Sequence, residues 1–313
     1  MTRSEIYHAL QKEYGAKSDV EGFRIIAGDY LVIALAIQVS ELFVMKLTGA
    51  LFALSFLGIC LVLASRYRGL EILVHEASHN NVFRTRRFNQ SMQFLFAYPV
   101  FLHVQTYAKI HLEHHQLIGD FEKDPDILIY KKWGLDKLPD NKLLVLFLRP
   151  MSFFFTWDHL RTTFYAFWKT KADRPGKIIF WAVVIGVIAV FNLWYYFAVY
   201  YLVPFYLLLP ILRFYARANE HTGVDFSVDS KSARNNLGLF NRFILHPHGD
   251  GYHQVHHLAA SIPFFNLPGA HKFLVKHNVE FLDSYNPVES LKKMEQGCID
   301  VLSKSDLKSK PMW

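Results

Sequence analysis

Histidines spaced to grip metal dominate this chain. His75-Glu-Ala-Ser-His79, His111-Leu-Glu-His114-His115 and His253-Gln-Val-His256-His257 hold eight of its sixteen histidines. On a helix, residues i and i+4 share a face and i and i+3 nearly do. His75 with His79, His111 with His114 or His115, and His253 with His256 or His257 can therefore each aim two imidazoles into one site. Neighbours such as His114 and His115 diverge by about 100°, so one cluster can serve two metal centres lying side by side. A mononuclear ion takes about four ligands. Eight or nine imidazoles argue for two ions, and imidazole suits Fe, Zn, Cu or Ni. The isolated His8, His103, His159, His271 and His277 are expected to be solvated or hydrogen-bonded. His246 and His248 are read as support or substrate contacts, not ligands. Asp250, Glu220, Glu76 and Glu113 lie near enough to the clusters to orient ring N–H groups; for Glu76 and Glu113, a solvated carboxylate is the competing expectation.

The elements that must position these rings are apolar. Hydrophobic residues make up 52% of 313, concentrated in runs at 27–47, 51–74, 178–200 and 202–218, each near the ~20 residues that cross a hydrocarbon core. The second run leads directly into His75 and the fourth into Glu220-His221. The expected fold class is all-α integral membrane: four transmembrane helices in two hairpins, turning near 46–49 and 200–203, under a cytoplasmic helical cap that carries the histidine boxes. One domain is expected. It has an N-terminal interfacial arm (1–26, with an amphipathic helix over 4–24), a first hairpin (27–74), a cytoplasmic or interfacial segment (75–177), a second hairpin (178–218), and a cap and tail (219–313). The runs 94–102 and 143–155 are too short to span and are expected to dip into the interface. Glu41, ionisable inside the first run, either has a function or marks the helix end.

Lys and Arg gather in the arm, in 65–177 and after 217, including Arg66, Arg68, Arg84, Arg86 and Arg87. The positive-inside rule puts all three regions in the cytoplasm, with every clustered histidine, His221 and both termini. The formal charge of +7 then reflects topology and headgroup contact; no nucleic-acid module is recognisable and none is expected as a partner. Cys60 and Cys298 form neither a CxxC nor a disulfide framework, and Cys60 is expected in the core. No cleaved signal peptide is expected from the polar, mixed-charge beginning.

Two other chemistries compete for the first cluster. HExxH is a zinc-peptidase pattern with Glu76 as general base, but it leaves both HxxHH clusters unexplained. A metal transporter would place ligands at mid-bilayer depth, whereas these clusters lie beyond the apolar runs.

HxxxH followed by two HxxHH boxes, with paired spans before the last, resembles the membrane fatty acid desaturase and hydroxylase superfamily over residues 50–280. Gly251-Tyr-His-Gln-Val-His-His-Leu-Ala-Ala-Ser-Ile-Pro-Phe-Phe-Asn-Leu-Pro is similar to the third box of bacterial acyl desaturases. Arg217-Ala-Asn-Glu-His221 is similar to the segment supplying that family's ninth histidine. The resemblance implies a non-haem diiron centre on His75, His79, His111, His114, His115, His221, His253, His256 and His257, with O2 as co-substrate. It implies an enzyme that desaturates an acyl or lipid-like chain, or a hydroxylase of the same fold, in a bacterial inner membrane. No fused cytochrome b5 motif is present, so an external electron donor of ferredoxin, rubredoxin or cytochrome b5 type is expected. The chain departs from the acyl-CoA branch in its shorter first box and in Arg217, which stands where that branch has asparagine. Arginine does not normally ligate iron, which argues for water at that position and against an acyl-CoA substrate. Gly249-Asp250-Gly251 also stands where the family often has asparagine.

Overall fold

The computed structural model describes residues 3–135, 144–169, 171, 174–226 and 232–294; Cys298, Leu143 and the tail past 294 lie outside them. Helix α1 spans Arg3–Tyr14. Helix α2, Asp19–Leu42, starts where the Ser18 hydroxyl accepts the Glu21 N–H, with Asp19 and Glu21 in its first turn. A side-chain cap and acidic residues on the positive end of the dipole both favour a start there. The helix expected over 4–24 is therefore two helices, and the first apolar helix begins at Asp19 instead of 27.

After the turn through Phe43–Thr48, α3 runs from Gly49 to Ser78 and packs along α2. Glu41 sits one residue from the end of α2, where Tyr200 Oη donates to its carboxylate at 2.5 Å. Among the described residues, three helices are long and apolar enough to cross a membrane: Asp19–Lys46, Gly49–Ser78 and Trp194–His221. The third of these is α8. Helices α4 to α7 precede it at Val104–Leu117, Pro125–Trp133, Phe153–Lys169 and Arg174–Val190.

The break between α7 and α8 falls at Phe191–Leu193, not at 200–203. Asn192 supplies the positive φ of 52° that the reversal needs, a conformation asparagine tolerates better than most residues. Pro204 would remove a hydrogen bond and clash with a carbonyl in a regular helix. The chain widens into i→i+5 turns over Phe197–Leu202 and Pro204–Leu208 and continues helical.

Burial changes along α3. Leu51, Leu54 and Leu57 are exposed, whereas Leu63, Leu70, Leu73, Val74 and His75 are buried. Leu31, Leu35 and Val39 of α2 and Ile179, Val183 and Val187 of α7 extend the exposed apolar belt. Stripes at four-residue spacing on several helices form a surface that needs lipid or protein against it. Beyond the belt the same helix is buried among the other elements.

Beside α4 to α6, the shorter helices are α9 (His253–Leu258), α10 (Leu267–Lys276) and α11 (Pro287–Met294). The only strand pairing among the described residues is parallel, Asn235–Asn236 with Asp283–Ser284. Within the short apolar run at 94–102, Phe96, Ala97 and Val100 pack into the core beside α3. From the second short run, Leu146 and Phe155 are buried with Tyr130 and Phe214. Helix α1 docks on α10: Tyr14 stacks edge-on against Phe273 at 6.0 Å, and Asn266 Nδ2 donates to the Tyr14 carbonyl at 2.7 Å. Asp29, buried on α2, takes Arg66 at 3.1 Å and His248 Nε2 at 2.7 Å, tying a membrane-crossing candidate to the segment just before α9.

The loop after α8 does two positioning tasks. The Asn219 carbonyl at the end of α8 accepts from Arg234 Nε and Asn236 Nδ2, both at 3.0 Å, satisfying an orphan carbonyl that would otherwise be buried. The Asn235 side-chain oxygen accepts the Gln254 and Val255 N–H groups at 3.0 and 3.4 Å, capping α9 from outside its own sequence. Asn235→Ala is expected to cost about 1–2 kcal/mol, read as a lower midpoint in thermal unfolding of the purified protein; an unchanged midpoint would show that α9 holds its place without this cap.

Candidate metal centre

Four helices carry the rings. His75 occupies the last turn of α3, with His79 at its C-cap. His111, His114 and His115 lie on α4, His221 ends α8, and His253, His256 and His257 lie on α9. All nine imidazoles face one interior space. His256 Nε2 lies 3.0 Å from His75 Nε2 and 3.2 Å from His115 Nε2, which is itself 3.0 Å from His111 Nε2. His253 Nε2 lies 3.0 Å from His221 Nε2 and 3.1 Å from His257 Nε2. The ε nitrogens of His79 and His114 are buried with no hydrogen-bond partner.

The ligand atoms divide into nests. His75, His79, His111, His115 and His256 form one, and His114, His221 and His257 a second; His253 also groups with Glu220 and Asp250. Adjacent histidines part as helix geometry requires, with His115 and His256 in the first nest and His114 and His257 in the second. A metal about 2.1 Å from two cis nitrogens separates them by about 3 Å, which is the spacing present. Crowded ε nitrogens and two orphaned ones are what a pair of cations would satisfy.

The rear nitrogens fix the tautomers where they are held. His221 Nδ1 donates to the Ser232 carbonyl at 2.8 Å, and His114 Nδ1 donates to Asp124 Oδ1 at 2.8 Å. In neutral rings both ε nitrogens are then bare and face the nest. Burial, reinforced by neighbouring rings, holds His111, His115, His253, His256 and His257 well below the usual imidazole range, and His79 down to about 3. Burial also opposes charge on His114, but Asp124 and then Asp126 outweigh it and lift that imidazole to about 9, which makes it the most basic donor of its nest.

The carboxylates expected to support the rings sort differently. Glu113 is exposed on α4. Its position between His111 and His114 turns it to the outer face of the helix, so it orients no ring. Glu76 is buried with one oxygen 3.3 Å from His75 Nδ1, behind the ring. Asp250 accepts from His246 Nδ1 at 2.8 Å and from Arg68 at 3.3 Å, with Glu220 on the same arginine at 3.6 Å. Asp124, which no motif flagged, supports His114 directly; only its place ten residues after that histidine, before Pro125, hinted at a helix-capping role. Of the isolated histidines, His159 accepts from Arg213 at 2.6 Å, His271 lies 3.2 Å from Asp283, and His103 Nδ1 caps α4.

A cavity of about 420 Å³ opens from His75, His111 and His253 between α3, α8 and α6, and is walled by Arg68, Glu71, Arg213 and Arg217 among others. Residues 50–287 match the sequence model of the fatty acid desaturase family, more than half of the chain.

The chain belongs to the fatty acid desaturase family.

This desaturase-family member is thus an oxidoreductase by kinship. It is 27% identical over 273 residues to the dihydrorhizobitoxine desaturase of Bradyrhizobium elkanii, covering 81% of this chain and 75% of the relative. It is also 37% identical over 90 residues to the bovine (Bos taurus) sphingolipid delta(4)-desaturase/C4-monooxygenase DES2, covering 28% of this chain and 27% of that protein. The matched region contains every one of the nine clustered rings, so the desaturase family and the metal-like nests fall on the same residues.

Proposed function

We propose that this protein is an integral membrane, O2-dependent desaturase that introduces a C=C bond into an aliphatic segment of its substrate, with two irons held by the nine imidazoles. The observation that carries this reading is the convergence of His75, His79, His111, His114, His115, His221, His253, His256 and His257 as two adjoining nests of ε nitrogens. Irons bound there would supply the oxidising power to remove hydrogen from an unactivated C–H bond. Neutral imidazoles suit that task because they add no negative charge to the ions. Asp124 and the Ser232 carbonyl keep the ε lone pairs of His114 and His221 inward. Electrons come from a separate donor protein.

The proposed topology has α7 and α8 as a second hairpin beside α2 and α3, giving four crossings with the nests on the cytoplasmic side. The zinc-peptidase pattern is disfavoured because the Glu76 carboxylate lies at the rear nitrogen of His75, away from the space where a water would be activated. Hydroxylation is the second reading, favoured by the joint desaturase and monooxygenase name of the bovine relative. Metal analysis of protein purified without chelators is expected to give about two irons per chain. Products from expressing cells are expected to show a loss of 2 Da from the substrate; a gain of 16 Da would make it a hydroxylase, and one zinc per chain with no iron would end the diiron reading.

A further inference from the structure

The cavity beside the nests is unusual for a hydrocarbon site in carrying ionisable side chains on both walls. Arg68, Glu71 and His75 share one face of α3, and Arg213, Arg217 and Glu220 one face of α8, at spacings of three to four residues. Methylene groups laid along these charged faces would strip them of water and return nothing, whereas Val100, Phe101, Leu102 and Ile110 give the cavity an apolar part. Most of the acid–base pairs are closed. Arg213 makes two hydrogen bonds to Glu71, Lys132 donates to Asp158 at 2.6 Å, and Arg68 donates to Asp250 at 3.3 Å.

One pair is open. Arg217 and Asp126 face each other at 3.5 Å, and among the described residues neither side chain makes a hydrogen bond. The guanidinium leans over Trp133, 5.8 Å from the ring centre. Parts of both side chains, 28% and 16%, remain accessible, and both line the cavity. A guanidinium has five donors and a carboxylate about four acceptor sites, so this pair has spare capacity for both signs of charge at once.

We propose that the cavity binds a compact zwitterionic amphiphile, its carboxylate on Arg217 and its ammonium on Asp126. This deepens the desaturase reading and rests on it for the reaction, although binding itself can be judged without metal. Arg217 lies one helical turn, about 6 Å of axial rise, before His221, and Asp126 lies two residues after the aspartate that holds His114. A headgroup anchored there leaves the reacting carbon within a few bonds of the charges. The substrate is thus an amino-acid-like molecule with a short aliphatic arm.

The test measures binding of four eight-carbon probes to the full chain in nanodiscs, with uptake by empty nanodiscs subtracted. The probes are 2-aminooctanoate, octanoate, octylamine and octanol. The zwitterion is expected to bind at least about tenfold tighter than any other, the margin of one charge-assisted contact. Equal or tighter binding of a singly charged or neutral probe to the unaltered protein would overturn the proposal, whatever the variants do. Arg217→Gln should erase the preference over octylamine, and Asp126→Asn the preference over octanoate. Folded variants that retain both preferences would also overturn it. Lysophosphatidylserine, which carries the same ammonium and carboxylate beside a phosphodiester on a lipid, is expected to compete poorly; equal competition would move the site to a lipid headgroup and refute the compact substrate. Iron content and the 2 Da loss judge the desaturase reading separately.

Discussion

His256→Ala is expected to lower turnover by more than about a thousandfold and to leave the first nest unable to keep its ion, while the protein still inserts and purifies. His256 is the junction of that nest. Its ε nitrogen stands 3.0 Å from His75 and 3.2 Å from His115, so its removal takes away a donor and the spacing that sets two others. A metal deprived of one imidazole can recruit water, but water neither positions the neighbouring rings nor matches their donor strength. The measurement pairs iron per chain with product formed per chain, using His277→Ala as a histidine control. His277 Nδ1 donates to the Phe273 carbonyl at 2.8 Å, on another helix. Full activity in His256→Ala would remove that ring from the proposed ligands.

Asp124→Asn is expected to weaken metal affinity or turnover by about 10- to 100-fold, the usual cost of losing a carboxylate behind a ligating histidine. Asp124 is fully buried and accepts three donors: His114 Nδ1 at 2.8 Å, the Asp126 N–H at 2.9 Å and the Gly119 N–H at 3.1 Å. Asparagine has one acceptor oxygen and must turn its amide N–H groups toward one of these donors. It also removes the charge that makes His114 basic. Iron retention against a graded chelator, read beside thermal unfolding, separates ligand tuning from loss of the local turn. Wild-type retention in a folded Asp124→Asn protein would show that the carboxylate serves α5 alone.

The sequence made the nests legible because a helix fixes which of two adjacent histidines looks which way, and that rule needs no tertiary knowledge. His115 and His257 part from His114 and His256 as the 100° step demands. The apolar runs also announced α2 and α3, because long hydrophobic segments are an average property of many residues. What single positions decide was harder to see. Asn192 moved the second turn by about ten residues, and Pro204, which would clash in a regular helix, was absorbed by wide turns. Asp124, Asn235 and Asp29 act across the fold on partners 10, 19 and 219 residues away. No local period marks such residues, and only the packed chain shows what they hold. Arg217 was visible as a departure from its family, but its open pairing with Asp126 came from two helices meeting.

Helix α9 gives His256 to one nest and His257 to the other. Neither nest is therefore complete until this short, late segment has been synthesised. Among the described residues all three long apolar helices precede it in the chain, so translation delivers the greasy part first and the last metal-like donors afterwards. A stalled or truncated product ending before residue 253 would lack His253, His256 and His257 and so leave both nests short of donors.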